Sequence, residues 1–269
     1  MKSILITGAA GGLGGRLRTL LRPIYPNIRL SDAIEPKALG ADETFVRADL
    51  TNPAEVEAAV EGMEGIIHLG GRSIEDRWEA ILPANIIGTY NLFEAARRHK
   101  VRRVVFASSF HVIGFYRRDR RFGTDVPPHP DSRYGVSKVF GEALGALYAD
   151  KFGLRVLCIR IGNVDDTPVD ARRLSGWLSP DDFVQLLRIG LEHPDLHYEI
   201  VYGISGNARA WWDNAAAFRL GYRPTGDAEA FRDIALAAES RRPDDPIARL
   251  FQGGPFTSLE FDGDLDRIR

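Results

Sequence analysis

Cysteine is almost missing from this chain: one residue in 269, Cys158. A single thiol can form neither an internal disulfide nor a thiolate metal cluster, so no metal site is expected. Its place in the apolar run Val156-Leu157-Cys158-Ile159 marks it as a small hydrophobe in a buried strand. Long apolar runs are lacking too, and none approaches the roughly 18 residues that cross a bilayer. Net charge is only −2, which implies no broad surface for polyanions. The one basic cluster singled out, Arg117-Arg118-Asp119-Arg120-Arg121, reads as a solvated loop rather than a nucleic-acid site. A glycine turn begins at residue 8, which leaves no room for a signal peptide before it. The cytoplasm is the expected compartment.

What is present is an alternation of short apolar runs with longer amphipathic stretches. Strands are predicted at Ser3–Ile6, Ile28–Leu30, Glu43–Val46, Gly65–Leu69, Arg103–Ala107 and Arg155–Ile161. Helices are predicted over 12–22, from Asn52-Pro53 to about Glu61, over 83–98, and from Tyr134 to about Phe152. This rhythm predicts an α/β fold, a doubly wound parallel sheet of the Rossmann type with helices on both faces. Right-handed crossovers then bring the strand ends at Gly8, Asp32, Gly70, Ser109 and Gly162 to one rim, where ligands bind in this architecture. The expected division is a dinucleotide-binding domain over residues 1–162 and a small lobe with an ordered tail over 163–269, interleaved with the first. That second part is expected to hold a helix starting at Ser179-Pro180, a strand over Tyr198–Tyr202 and a short helix over Asp213–Leu220.

Two motifs carry chemistry. Thr7-Gly8-x-x-Gly11-Gly12-Leu13-Gly14 joins a strand to a helix, the context in which glycines let the backbone approach a pyrophosphate at a helix N-terminus. Asp32, 18 residues past Gly14 at the end of the second strand, can accept hydrogen bonds from both adenosine ribose hydroxyls. It would repel a 2′-phosphate, so NAD is the expected cofactor over NADP. Asp49 and Leu50 are placed to touch the adenine. Downstream, Ser109, Tyr134 and Lys138 stand 25 and 4 residues apart. Lys138 lies one helical turn from Tyr134, and its charge, with that of the oxidised nicotinamide, favours the phenolate of a residue whose ordinary pKa is near 10. Tyr134 can then take a hydroxyl proton while Ser109 holds the substrate oxygen.

The glycine turn, Asp49-Leu50, Ser109 and Tyr134-x-x-x-Lys138 together resemble the extended short-chain dehydrogenase/reductases. Further stretches resemble the uronate dehydrogenases within that group: Gly65-Ile-Ile-His-Leu-Gly-Gly71 with Ser73, Asn85-Ile-Ile-Gly-x-Tyr-Asn-Leu92, Ser179-x-Asp-Asp-Phe183, Trp211-Trp212-Asp213-Asn214 and Phe251-Gln-Gly-Gly254. The resemblance implies oxidation of the anomeric hydroxyl of galacturonate or glucuronate with NAD, giving an aldarolactone. It adds Leu69, Gly70, Gly71, Asn85 and Ile161 to the cofactor side, with Tyr134 and Lys138 shared. It also implies a sugar pocket of Ser73, Ser109, His111, Tyr134 and Arg172, in which Arg172 meets the uronate carboxylate. The residues alone leave two of these open: Arg172 has the alternative of a surface arginine in the Asp170–Arg173 loop, and His111 reads equally as a packed residue at the strand exit. The helices over 83–98 and 134–152 pack between subunits in many such enzymes, so a homo-oligomer is implied.

Two positions depart from the pattern. Phe110 replaces an asparagine after Ser109, and Asn163 replaces a serine after Arg160-Ile-Gly162. Losing a sugar-bonding amide can change substrate preference by large factors. The alternatives are a dehydrogenase of a neutral aldose or other small sugar-like alcohol, a sugar-nucleotide epimerase, and a non-catalytic NAD sensor.

Overall fold

The computed structural model describes residues 1–268. Its first half alternates β1 (Ser3–Thr7), α1 (Gly12–Leu21), β2 (Asn27–Asp32), β3 (Glu43–Arg47), α2 (Pro53–Val60) and β4 (Gly65–His68). Asn52 starts α2 as its side chain accepts from the Ala54 N–H, with Pro53 supplying a preset first turn. A long helix follows in three pieces: α3 (Trp78–Ile81), a π-helical stretch (Leu82–Ile87) and α4 (Gly88–Arg98). Then come β5 (Arg103–Ser109), α5 (Arg133–Phe152) and β6 (Arg155–Ile161). Ser132 caps α5 by accepting from the Gly135 N–H, and Gly153 ends it in the left-handed conformation.

Beyond β6 lie a two-residue pair, β7 (Asn163–Val164) with β8 (Trp177–Leu178), and α6 (Arg173–Gly176) between them. α7 (Pro180–Glu192) and β9 (Tyr198–Gly203) follow, then four short helices: α8 (Ala215–Arg219), α9 (Arg232–Glu239), α10 (Pro246–Leu250) and α11 (Pro255–Ser258).

The main sheet is parallel and seven-stranded, in the order β3-β2-β1-β4-β5-β6-β9. The order reverses between β1 and β4, so the crevice opens there. Strands buried on both faces explain why the predicted runs are continuously apolar. Leu17, Leu21, Phe183 and Leu187 fill one face, from α1 and α7. Val56, Phe93, Ala96 and Tyr148 fill the other, from α2, α4 and α5. Each large aliphatic or aromatic side chain so buried contributes roughly 1.5–3 kcal/mol.

A buried ion pair sets how α5 lies on the sheet. Arg160 of β6 donates twice to Glu142 of α5, at 2.9 Å each, and the Ser108 hydroxyl donates to the same carboxylate at 2.6 Å. Breaking such a pair from one side leaves an uncompensated buried charge, so the arrangement strongly resists rotation of the helix. Cys158 is fully buried in β6, as its apolar neighbours predict.

Candidate active site

A cleft of about 470 Å³ opens at the C-terminal ends of β1, β2, β4, β5 and β6. Its floor is the glycine turn. Gly8 has φ +69°, and a Cβ there would lie 2.8 Å from the Gly70 nitrogen. A Cβ on Gly14 would lie 2.4 Å from the Gly8 carbonyl oxygen, so only glycine lets α1 start this close to β1. Gly11 offers α1 no side-chain cap, which leaves the first helical N–H groups, around Gly12 and Leu13, facing the cleft. Asp32 accepts from the Ala10 N–H at 3.0 Å and from the Ile34 N–H at 3.3 Å, tying the turn to the end of β2. A bare backbone cradle, free helix N–H groups and a carboxylate at the second strand end together fit a dinucleotide.

Leu50, Leu69, Gly70, Gly71, Ser73 and Ile161 complete this side of the lining. Asp49 also lines the cleft, although one of its carboxylate oxygens is engaged by the Thr51 N–H and hydroxyl at 2.9 and 2.8 Å. Asn85 does not line it. Its amide accepts from the Arg72 N–H at 2.7 Å and donates to the Arg72 carbonyl and the Ser137 hydroxyl, so it clasps the Gly71–Arg72 turn from behind.

Ser109 ends β5, Tyr134 opens α5, and Lys138 lies one turn further along. All three line the cleft, at 4%, 7% and 7% exposure. The Lys138 ammonium donates to the Ala107 carbonyl at 2.8 Å and stands 5.5 Å from the centre of the Tyr134 ring. Burial pushes Tyr134 up to about 12, against a smaller downward pull from the Ser109 hydroxyl. Burial also pulls Lys138 down to about 8. In the protein alone, loss of water is the larger effect on both groups, and the ammonium is turned to a carbonyl. Behind Lys138 lies His68, with Nδ1 2.7 Å from the Thr7 hydroxyl. Burial first, then the nearby ammonium, holds its imidazole down at about 3.

The other wall is assembled from distant segments. The Ser109 hydroxyl accepts from the His111 N–H at 3.2 Å, capping a short 3-10 turn at Phe110–Ile113. His111 pairs through Nδ1 with Asp131 at 2.7 Å and stacks on Phe256, 4.1 Å between ring centres. Phe110 packs between Trp212, at 5.7 Å, and the Arg172 guanidinium, at 5.2 Å above its ring.

Arg172 is therefore not a solvated loop residue. Burial lowers it to about 9, and its Nη1 reaches only two distant carbonyls, Gln252 at 3.3 Å and Gly253 at 3.4 Å. Its Nε and the Asn163 Oδ1 are buried without a hydrogen-bond partner among the described residues. Neither residue lines the cleft; Arg172 is set beyond Phe110, and Asn163 lies in β7.

Several contributors carried no signal in the sequence. Glu75 accepts from the Tyr134 N–H at 2.8 Å and pairs with Arg133, which also reaches Glu260. A carboxylate at that helix end is favoured by the helix dipole. Arg118, expected to be solvated, instead donates to the Ala248 and Phe251 carbonyls and sits 5.1 Å over Trp211. The Gln252 amide accepts from the Trp212 indole at 2.7 Å and donates to the Arg117 and Arg120 carbonyls. Residues 246–258 thus strap the wall together. Only the Phe251-Gln-Gly-Gly254 resemblance hinted at them.

A nucleotide-binding turn, a strand-end carboxylate and a Ser/Tyr/Lys trio in one crevice define a nicotinamide-dependent dehydrogenase or epimerase type of site. The chain belongs to the NAD dependent epimerase/dehydratase family, whose model matches residues 4–165. It is 46% identical to the uronate dehydrogenase of Pseudomonas putida, over 94% of both chains. With that of Agrobacterium fabrum the identity is 47%, over 95% of this chain and 97% of the other. A crystal structure of a mutant uronate dehydrogenase from Agrobacterium tumefaciens, complexed with NAD, superposes with a TM-score of 0.92 at 45% identity. The match covers 96% of this chain and 97% of that one.

Proposed function

We propose that this chain oxidises the anomeric hydroxyl of a hexuronate, galacturonate or glucuronate, to an aldarolactone, with NAD as the acceptor. The observation that carries the reading is the Ser109/Tyr134/Lys138 trio in the same cleft as the glycine turn and Asp32, with the Arg172 guanidinium behind Phe110, its buried Nε without a hydrogen-bond partner among the described residues. Residues 1–162 hold the dinucleotide, the trio and much of the sugar side; those from 163 onward add Arg172 and the strap that holds Phe256 against His111.

When bound, NAD supplies the hydride acceptor and a positive charge. Ser109 holds the sugar oxygen, and Tyr134 takes its proton as the carbon gives up hydride and becomes the lactone carbonyl. Burial holds the free Tyr134 near 12, so the phenolate forms only when positive charge gathers around it. Lys138, held by the Ala107 carbonyl, places its ammonium beside the Tyr134 ring. Arg172, with Nε unpaired, would take the uronate carboxylate, the partner its fork geometry suits. His111, oriented by Asp131, would bond a ring hydroxyl, and Ser73 another. We read the exposed apolar side chains of α4 and α5, Tyr90, Val136 and Leu147, as an oligomer contact, and the cytoplasm as the compartment.

Phe110 favours a second reading, a dehydrogenase of a neutral aldose, because it places an apolar ring beside the catalytic serine. A panel of uronates, aldoses and simple alcohols followed by NADH absorbance separates the two. Uronates are expected to be preferred, and Arg172→Ala to cost 10- to 100-fold in kcat/KM on them alone, about 1.5–3 kcal/mol for a lost charge-assisted bond. Equal activity on neutral aldoses with an unaffected Arg172→Ala would overturn the uronate reading.

A further inference from the structure

At the opposite end of the sheet lies a second cavity, about 690 Å³, where the strands begin rather than end. It is framed by the residue before β4, Glu64, the starts of β5 and β6, and the ends of α4, α5 and α7. Five cations line it, Arg97, Lys100, Arg102, Arg103 and Arg155, against two carboxylates, Glu64 and Glu192, a formal +3 on a chain whose net charge is −2. Arg117–Arg121 is therefore not the only basic cluster: residues 97–103 form a second, and the fold adds Arg155 to it.

The cations are poorly matched inside the protein. Arg97 pairs with Glu94 at 2.6 Å, but Lys100, Arg102, Arg103 and Arg155 make no salt bridge among the described residues. Both carboxylates have other partners, Glu64 the Lys2 N–H, and Glu192 the Tyr25 hydroxyl and Arg188. Arg103 is the anchor: it is 7% exposed, and its one hydrogen bond is a 3.4 Å contact with the Gly190 carbonyl. Arg103 and Arg155 also stand at the same register of adjacent parallel strands, so their like charges share one face of the sheet. Such an opposed pair is destabilising unless something of opposite sign sits between.

The negative ends of three helices face the cavity and offset part of this charge, about half a unit each. That leaves a surplus, and the side chains of Lys100, Arg102 and Arg155 donate no hydrogen bond to the helix-end carbonyls among the described residues; only the Lys100 backbone N–H reaches one, that of Arg97. Lys100 moreover holds φ +56°, a left-handed conformation that lysine rarely adopts, and it lines this cavity. We propose that the cavity at the strand starts, centred on Arg103 and Arg155, binds a small multivalent oxyanion, a phosphate-bearing molecule or a polycarboxylate. Guanidinium forks suit both, and the volume suits a molecule of metabolite size.

The test is thermal unfolding of the full chain in sodium pyrophosphate and, separately, sodium citrate, against sodium chloride at matched ionic strength. A saturable rise in Tm is expected, on the order of 5 °C at a hundredfold excess over Kd. It should vanish in an Arg155→Gln, Lys100→Gln double variant. NADH formation by that variant should match the parent, showing that it folds and that the dinucleotide cleft is intact. A response to pyrophosphate alone identifies a phosphate site, and to citrate alone a polycarboxylate site. No saturable rise, or a rise retained in full by the double variant, would overturn the proposal, the second by assigning the anion to the dinucleotide cleft.

Discussion

The two walls of the cleft are built by different means. The cofactor wall is mostly backbone: glycines at 8 and 14, the first N–H groups of α1 and one carboxylate, Asp32, within 25 residues of chain. The sugar wall is mostly side chains, brought from residues 73–75, 110–111, 131, 172 and 252–256. A backbone site is a local motif that survives divergence of its neighbours. A side-chain site drawn from five segments is set by tertiary packing, so each of its contacts depends on a different part of the fold.

The sharpest way to separate the walls is Tyr134→Phe. Turnover is expected to fall at least a thousandfold, while NAD titration by fluorescence shows unchanged affinity. Retained turnover would remove Tyr134 from the mechanism.

Lys138→Met is expected to lose most activity yet unfold at higher temperature. Its folded pKa of about 8 lies below the ordinary 10.5, so the fold disfavours the charged form. The sign follows: the cost is complete below pH 8 and is relieved as pH rises towards 10.5, so stability gains over that window. Removing the ammonium should add on the order of 2 kcal/mol at neutral pH, seen as a higher denaturant midpoint. A destabilised variant would mean that its bond to the Ala107 carbonyl outweighs its burial.

Asp32→Ala tests the cofactor wall alone. NAD affinity is expected to drop 10- to 100-fold, about 1.5–3 kcal/mol, with NADP affinity unchanged or improved. Equal losses for both cofactors would break the assignment. The smallest effect is reserved for Phe256→Ala, which removes the ring stacked on His111. KM for the sugar should rise several-fold, about 1 kcal/mol, with NAD affinity untouched. A change in NAD affinity instead would show that the walls are coupled.

The same division explains what was readable beforehand. The seven strands of the main sheet were predicted to within two residues at each end, because parallel strands buried on both faces are continuous apolar runs ended by glycine or a polar residue; the two-residue β7 and β8 were not. The glycine turn and the trio were readable because strand, turn and helix follow one another in the chain. The bond from Lys138 to the Ala107 carbonyl was not readable, because spacing reports proximity but not where an ammonium points. Glu75, Asp131 and Phe256 left no trace because each acts on a residue far off in sequence. The π-helical stretch at Leu82–Ile87 was absorbed into one predicted helix, since its apolar spacing differs little from that of an α-helix.

The strap formed by residues 246–258 has a bearing on how the chain matures. It comes after every strand of the sheet, yet it supplies the ring beneath His111 and the amide that gathers Trp212, Arg117 and Arg120. On a ribosome, the dinucleotide wall can therefore form well before the sugar wall is closed. The order of synthesis thereby becomes an order in which the two walls are completed.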